Sequence, residues 1–219
     1  MVGLQPKVAI VILNYNTRSL LERYLSRVVA TEYPNKEVWV VDNASTDDSV
    51  EYIEQHYKNE IKLLVSPENY GYAGGYNWAL EQIAADYYVL LNSDVRVPAD
   101  WLDPLVEMAI SDRTISAIQP KILDAKDPTK FEYAGAAGGY LDKWGYPFCR
   151  GRIVETLEED NGQYNDATEV FWATGACMFV KAEAFHKAGK LDADFFAHME
   201  EIDLCWRMKR MGSKVMVQP

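Results

Sequence analysis

The sequence predicts one α/β domain with a largely parallel central sheet flanked by helices, and three observations predict it. Short apolar runs at Lys7–Leu13, Glu37–Val41, Ile61–Val65 and Tyr87–Leu91 have the pattern of strands buried on both faces. Between them lie segments with apolar residues at helical spacing, so strand and helix alternate as in units joined by crossover helices. The runs also give way to polar clusters: Asn14-Tyr15-Asn16, Asp42 to Ser49, Asn69 to Asn77, and Asn92-Ser93-Asp94. In an open α/β sheet the carboxyl edge of the strands is where ligands bind, and several polar loops delivered to one edge imply a shared cleft.

Composition narrows the class. A chain of 219 residues with 48% hydrophobic and 25% charged residues fits one substantial domain with its own core. The net charge of -11, without a basic stripe, excludes the electrostatic footprint of a nucleic-acid binder. Cys149, Cys177 and Cys205 stand far apart and odd in number, which argues against a disulfide framework or zinc site and fits a reducing cytoplasm. The first residues lack a secretory pattern, and the run Val8–Leu13 is too short to span a bilayer. No G-x-G-x-x-G follows the first strand and no G-x-x-x-x-G-K-[ST] occurs, which disfavours a dinucleotide-binding Rossmann site and a P-loop.

Taken in order, the first strand leads to a helix with Leu20, Leu21, Tyr24, Leu25 and Val28 on one face, where Ser19 and Glu22 have capping-box spacing. Helices are expected around Val50–Tyr57, from the glycine-rich Asn69–Asn77 stretch through Ala85, and over Pro98–Ala109; Ile115–Ile118 reads as a short strand. Gln119 to about Thr168 shows little period and reads as a long excursion that shapes a second substrate's pocket. Val170–Val180 reads as one strand bent at Gly175, followed by a helix over Ala182–Ala188. A last helix opens on Glu200, Glu201 and Asp203, where its dipole favours acids, and ends near Gly212, with Asp203 and Arg207 spaced to pair.

Six stretches together resemble the family 2 glycosyltransferases of the GT-A fold, in particular the bacterial branch related to rhamnosyltransferases of surface polysaccharide synthesis. They are Val11–Asn16, Val40–Asp47, Asn69–Asn77, Leu90–Asp94, Thr174–Met178 and Glu200–Arg207, in the family's order and spread over nearly the whole chain. The resemblance implies a nucleotide-binding half over about 1–118 and an acceptor half over about 119–219. It implies that Leu13, Tyr15 and Asp42 bracket the base and ribose, with Asn16, Asn43, Asn69, Gly74 and Asn77 in the same cleft. Asn92-Ser93-Asp94 falls on the family's D-x-D position with Asn as its first member. Asp94 therefore carries the carboxylate ligation of a Mg²⁺ or Mn²⁺ bound mainly through the donor's diphosphate.

Glu200-Glu201-Ile202-Asp203 falls on an E-D-x-D pattern, which makes Glu201 the expected general base, with Glu in place of Asp. His198 is a competing base on residue type alone, and Glu200 and Asp203 are expected to bind acceptor hydroxyls. Gly175 and Trp172 are placed at the acceptor, although Trp172, Phe171 and Trp144 suit core packing as well as sugar stacking. The implied function is an inverting, metal-assisted transfer of a sugar from a UDP-, dTDP- or GDP-sugar to a cell-surface glycan or lipid-linked acceptor. The alternative is a silent nucleotide-sugar or glycan-binding module of a larger synthase. A sugar-1-phosphate nucleotidyltransferase is disfavoured, because Leu13-Asn14-Tyr15-Asn16 is not its glycine-rich loop. Family members usually continue beyond a strand like Val215–Gln218, so a longer protein is expected, with peripheral attachment to the inner face of the cytoplasmic membrane.

Overall fold

Residues 5–195 and 197–219 are described by a computed structural model. In chain order the first elements are β1 (Val8–Asn14), α1 (Arg18–Val29), β2 (Lys36–Asp42), α2 (Ser49–His56), β3 (Ile61–Val65), α3 (Gly71–Leu80), β4 (Tyr87–Leu91), α4 (Leu102–Ser111) and β5 (Ile115–Pro120). The excursion holds β6 (Gly139–Leu141), β7 (Pro147–Cys149), β8 (Arg152–Ile153) and β9 (Thr156–Leu157). Then come β10 (Thr168–Val170), β11 (Cys177–Lys181), α5 (Ala182–Lys187), α6 (Glu200–Arg210) and β12 (Lys214–Gln218).

An eight-stranded sheet in the order β10-β12-β5-β11-β4-β1-β2-β3 forms the middle layer. Strands β3, β2, β1, β4, β5 and β12 run one way, and β11 and β10 run against them. Both faces are covered, as the unbroken apolar runs require. Val8, Ile10 and Ile12 of β1 pack under α1, α2 and α4, while Ala9 and Val11 face the cluster that holds residues of α3, α5 and α6. Asn14 stands opposite Asp42 in the β1–β2 register, and Ile12 stands opposite Leu91 in β1–β4. Asp42 and the Asn92-Ser93-Asp94 triplet are thus delivered to one edge of the sheet. Among the described residues no helix is long and apolar enough to cross a membrane.

Five expectations are corrected, the first three by competing local bonds. The Ser19–Glu22 capping box does not form: α1 starts at Arg18 without a side-chain cap, and Glu22 instead accepts a bond from Arg18 at 2.9 Å. Helix α3 stops at Leu80 instead of Ala85, because the Tyr88 hydroxyl takes the carbonyls of Leu80 and Ile83. Helix α4 begins only at Leu102, since the carbonyl of Ala99 is spent on the amide of Glu32. The excursion is not without strands, for β6 to β9 make a four-stranded antiparallel sheet. Val170–Val180 is not one bent strand, because β10 lies at the sheet's edge, β11 inside it, and Phe171–Ala176 crosses between them.

Candidate active site

The loops that end β1 and β2 and open α3 are stitched together by side-chain amides. Asn14 and Asp42 are 0% and 1% exposed. The Asn14 amide donates to Asp42 Oδ2 at 2.8 Å and to Ser45 Oγ at 3.0 Å, while the Ser45 N–H donates to Asp42 Oδ1 at 2.9 Å. Asn16, at φ 54, accepts from the amides of Thr46 at 2.7 Å and Asp47 at 3.2 Å. Asn43 donates to Asn69 Oδ1 at 2.8 Å and to the Gly71 carbonyl at 3.0 Å, and accepts from the Tyr70 amide at 3.1 Å. Gly75 allows the close approach of α3, since a Cβ there would meet Leu13 Cδ1 at 2.8 Å and Asn43 Nδ2 at 3.2 Å.

Asp42 therefore lies inside the loop scaffold, and Tyr15, 46% exposed, stands at its rim with the partly exposed Leu13 and the exposed Asn69. Gly74 packs under Tyr70. Asn77 is not brought to these loops: it lies farther along α3 and exchanges bonds with Leu191, its amide donating at 2.7 Å and its oxygen accepting at 3.1 Å. Because Asp42 is buried with Asn14 as a principal donor, Asn14→Ala should destabilise the fold by about 3 kcal/mol, roughly 6–12 °C in melting temperature for a chain of this size. A thermal melt of the variant checks this, and an unshifted midpoint would refute it.

At the end of β4 the Asn92 amide donates to the Ala176 carbonyl at 3.0 Å, which fixes the start of the triplet. Asp94 is exposed, and its carboxylate enters no hydrogen bond or ion pair among the described residues. No cluster of three or more His, Cys, Asp or Glu that could hold a metal occurs among those residues. A lone carboxylate beside an Asn carbonyl and a Ser hydroxyl is an all-oxygen set, which fits a hard divalent cation completing its shell with phosphate oxygens. From Asn92, Asp94 and Ala176 a cavity of about 530 Å³ opens outward between Trp101 and Leu105 on one side and Ile122 and Leu123 on the other.

A second group of acids stands at the start of α6, outside the lining of that cavity. His198 and Met199 both take left-handed backbone, at φ 72 and 76, a costly turn that is held only where its surroundings dictate it. It delivers Glu200 and Glu201 at the helix N-terminus. Glu200 is 4% exposed. Neither Glu200 Oε2 nor Glu201 Oε2 has a hydrogen-bond partner among the described residues. Burial, and then the neighbouring Glu200, push the Glu201 carboxyl up to about 7 against the pull of nearby backbone amides. Burial also raises Glu200, which the nearby His198 offsets in part. Glu201 is the acid that keeps some exposure while being poised near neutrality, the combination a general base needs.

Asp203 is engaged elsewhere: it accepts from Arg207 Nε at 2.8 Å, and Arg207 in turn donates to the carbonyls of Ala188 and Lys190. This is the pair its spacing predicts, and it ties α6 to the loop after α5. Trp172 is 3% exposed, its ring covering Gly139 and its Nε1 donating to the Tyr140 carbonyl at 3.0 Å, so it packs beneath the excursion. Gly175 accepts from the Tyr72 hydroxyl at 2.8 Å. Sequence reasoning passed over Asn14, Ser45, Gly75 and Tyr72. All four sit inside the six stretches above, and the role of Asn14 and Ser45 as partners of Asp42 is a matter of tertiary geometry.

Solved structures share this architecture. A mannosyltransferase from Pyrobaculum calidifontis in complex with GDP-Man and Mn²⁺ superposes with a TM-score of 0.66 at 20% identity, covering 99% of this chain and 55% of that one. GalNAc-T7 with UDP, GalNAc and Mn²⁺ gives 0.75 at 17% identity, covering 99% of this chain and 43% of that one. The fold is GT-A, that of the nucleotide-diphospho-sugar transferases. Residues 9–189 match the family described as Glycosyl transferase family 2, and the chain belongs to that family.

Among curated relatives, the N-acetylglucosaminyl-diphospho-decaprenol L-rhamnosyltransferase of Mycobacterium tuberculosis is 28% identical over 222 residues, spanning 93% of this chain and 70% of that protein. The low-salt glycan biosynthesis hexosyltransferase Agl10 of Haloferax volcanii is 25% identical over 93% of this chain and 62% of its own length. The poly-beta-1,6-N-acetyl-D-glucosamine synthase of Staphylococcus aureus is 25% identical over 94% of this chain and 46% of its own. The chain thus spans 46–70% of the length of these three relatives.

Proposed function

We propose that this domain transfers a sugar from a nucleoside diphosphate donor to a hydroxyl of a glycan or lipid-linked acceptor, by a single inverting displacement. The observation that carries the reading is Glu201, a partly buried carboxylate held near neutral pKa with an unpartnered oxygen, at the start of α6 and within electrostatic reach of Tyr72 on α3. In this reading Leu13 and Tyr15 border the base, and the Asn14–Asp42–Asn43 scaffold holds the loops in shape so that little binding energy goes into ordering them. Asp94 holds the metal-diphosphate end. A cation there would neutralise charge on the departing diphosphate. Glu201 accepts the proton of the acceptor hydroxyl as that oxygen attacks the anomeric carbon from the side opposite the diphosphate.

A lipid-linked or polysaccharide acceptor is favoured by the names of the relatives, and action at the inner face of the cytoplasmic membrane is part of the same proposal. The donor class is tested by melting the protein with UDP-, dTDP- and GDP-sugars in the presence of Mn²⁺ or Mg²⁺. A true donor at a hundredfold its Kd should add about 2.7 kcal/mol of stability, and a flat response to every donor would refute the reading. Release of nucleoside diphosphate on adding acceptor separates an enzyme from a silent binding module.

A further inference from the structure

The segment Ala173–Ala176, which crosses from β10 to β11, lies outside both strands and is held by α6, β5, α3 and the loop after β4. The Ala173 amide donates to Cys205 Sγ of α6 at 3.5 Å, and the Thr174 amide donates to Gln119 Oε1 of β5 at 2.9 Å. The Gly175 carbonyl accepts from Tyr72 of α3 at 2.8 Å, and the Ala176 carbonyl accepts from Asn92 at 3.0 Å. One short stretch therefore joins the metal-diphosphate triplet, the donor-side helix and the helix of the base. Cys205 stands four residues beyond Glu201, on the same face of α6.

Tyr72 is the member of this set that nothing above employs. Its ring meets that of Tyr76 edge-on at 4.9 Å, and the Tyr76 hydroxyl is anchored on the carbonyls of Val11 and Leu91, so Tyr72 is braced from the floor of the sheet. A Cβ on Gly175 would stand 2.7 Å from the Tyr72 hydroxyl, so the bond requires glycine at 175. The same hydroxyl lies within electrostatic reach of Glu201 and Glu200. With its proton given to Gly175, it turns no donor toward the base, which is consistent with the unpartnered Glu201 Oε2.

We propose that Tyr72 is a positioning residue for the transfer, its bond to Gly175 holding the base wall against the donor loops and keeping water from the space behind Glu201. The inference rests on the glycosyl-transfer reading and adds to it a donor-side residue that sets the state of the base. The titratable groups within electrostatic reach of Glu201 are Glu200 and Cys205 of α6, Tyr72 of α3 and Cys149 of β7, and Arg152 and Glu132 act in turn on Cys149. Removing the Tyr72 hydroxyl leaves the Gly175 carbonyl without its donor and draws water beside Glu201. Hydration favours the charged carboxylate, so the midpoint for Glu201 should fall from about 7 toward its ordinary 4.5.

The test is Tyr72→Phe, with donor affinity, kcat and the pH dependence of kcat measured beside the wild type. The expected result is donor Kd within about twofold, kcat lowered about tenfold as befits one lost hydrogen bond, and the acid limb of kcat moved to lower pH. Gly175→Ala gives a second approach, because its methyl displaces the Tyr72 hydroxyl. It should damage kcat strongly in the wild-type background and much less in the Tyr72→Phe background, where the clashing oxygen is gone. An unmoved acid limb, or additive effects of the two substitutions, overturns the inference even if kcat falls. A wild type that transfers alongside an unaltered Tyr72→Phe overturns this inference alone. A wild type that releases no nucleoside diphosphate with any donor and acceptor overturns the transfer reading as well.

Discussion

Glu201→Gln is expected to lower the transfer rate by about 10²–10⁴-fold while leaving donor affinity near its wild-type value, because the amide keeps the shape of the base and cannot take a proton. The wild-type rate should carry the signature of the same group, rising about tenfold per pH unit on the acid side and levelling near pH 7, where burial and Glu200 hold the carboxyl. Stability should move the opposite way. The folded carboxyl sits at about 7 against 4.5 for an ordinary glutamate, so the native state holds this proton more tightly than the unfolded chain does. The stabilisation that results is fully present below pH 4.5 and is lost as pH rises through 7. At pH 8 the wild type therefore bears a buried charge that the Gln variant lacks. The variant should be more stable there by up to about 3 kcal/mol, with the difference gone near pH 4. Melts of both proteins at pH 4 and pH 8, with transfer assays across the same range, decide it. A Gln variant that keeps its activity, while Glu200→Gln or His198→Ala loses it, would move the base to that residue.

Asp94→Asn should fail differently. The substitution preserves the outline of a side chain that is otherwise unengaged and removes its charge, so the fold should melt within about 1 kcal/mol of the wild type. Donor affinity measured with Mn²⁺ should fall by about 10–100-fold, and the difference between affinity with Mn²⁺ and affinity with chelator should largely vanish. Titration calorimetry or a thermal-shift series with the donor, with and without metal, reads this directly. Undiminished metal dependence in the variant would show that Asp94 does not hold the cation.

The fold was legible where burial dictates the pattern. Val8–Ile12 and Tyr87–Leu91 face packed layers on both sides of the sheet, so they admit no polar residue and announce themselves as strands. The excursion was illegible for the opposite reason. Strands as short as Arg152–Ile153 and Thr156–Leu157 carry no measurable period, and their turn is made by Val154 in left-handed backbone, which no residue preference foretells. Asp42, Asp94 and Glu201 could be picked out because strand ends and helix starts offer side chains to a cleft. Their partners could not. That Asp42 is held by Asn14, that Asn77 serves Leu191, and that Trp172 covers Gly139 are long-range pairings that local sequence does not encode.

The place of β12 has a consequence for how the chain reaches this state. β12 lies between β5 and β10, pairing with Ile115–Pro120 from about a hundred residues away, and β10 has no other partner in the sheet. Until Lys214–Gln218 arrive, one edge of β5 presents free amides and carbonyls, backed by a half-built apolar layer. During synthesis β1 to β4 can pair early, while α6 and the acids at its start must wait for residues made long after them. The rate-limiting event in folding should accordingly be the insertion of β12. Nascent chains halted just short of it are the species most exposed to edge-to-edge aggregation.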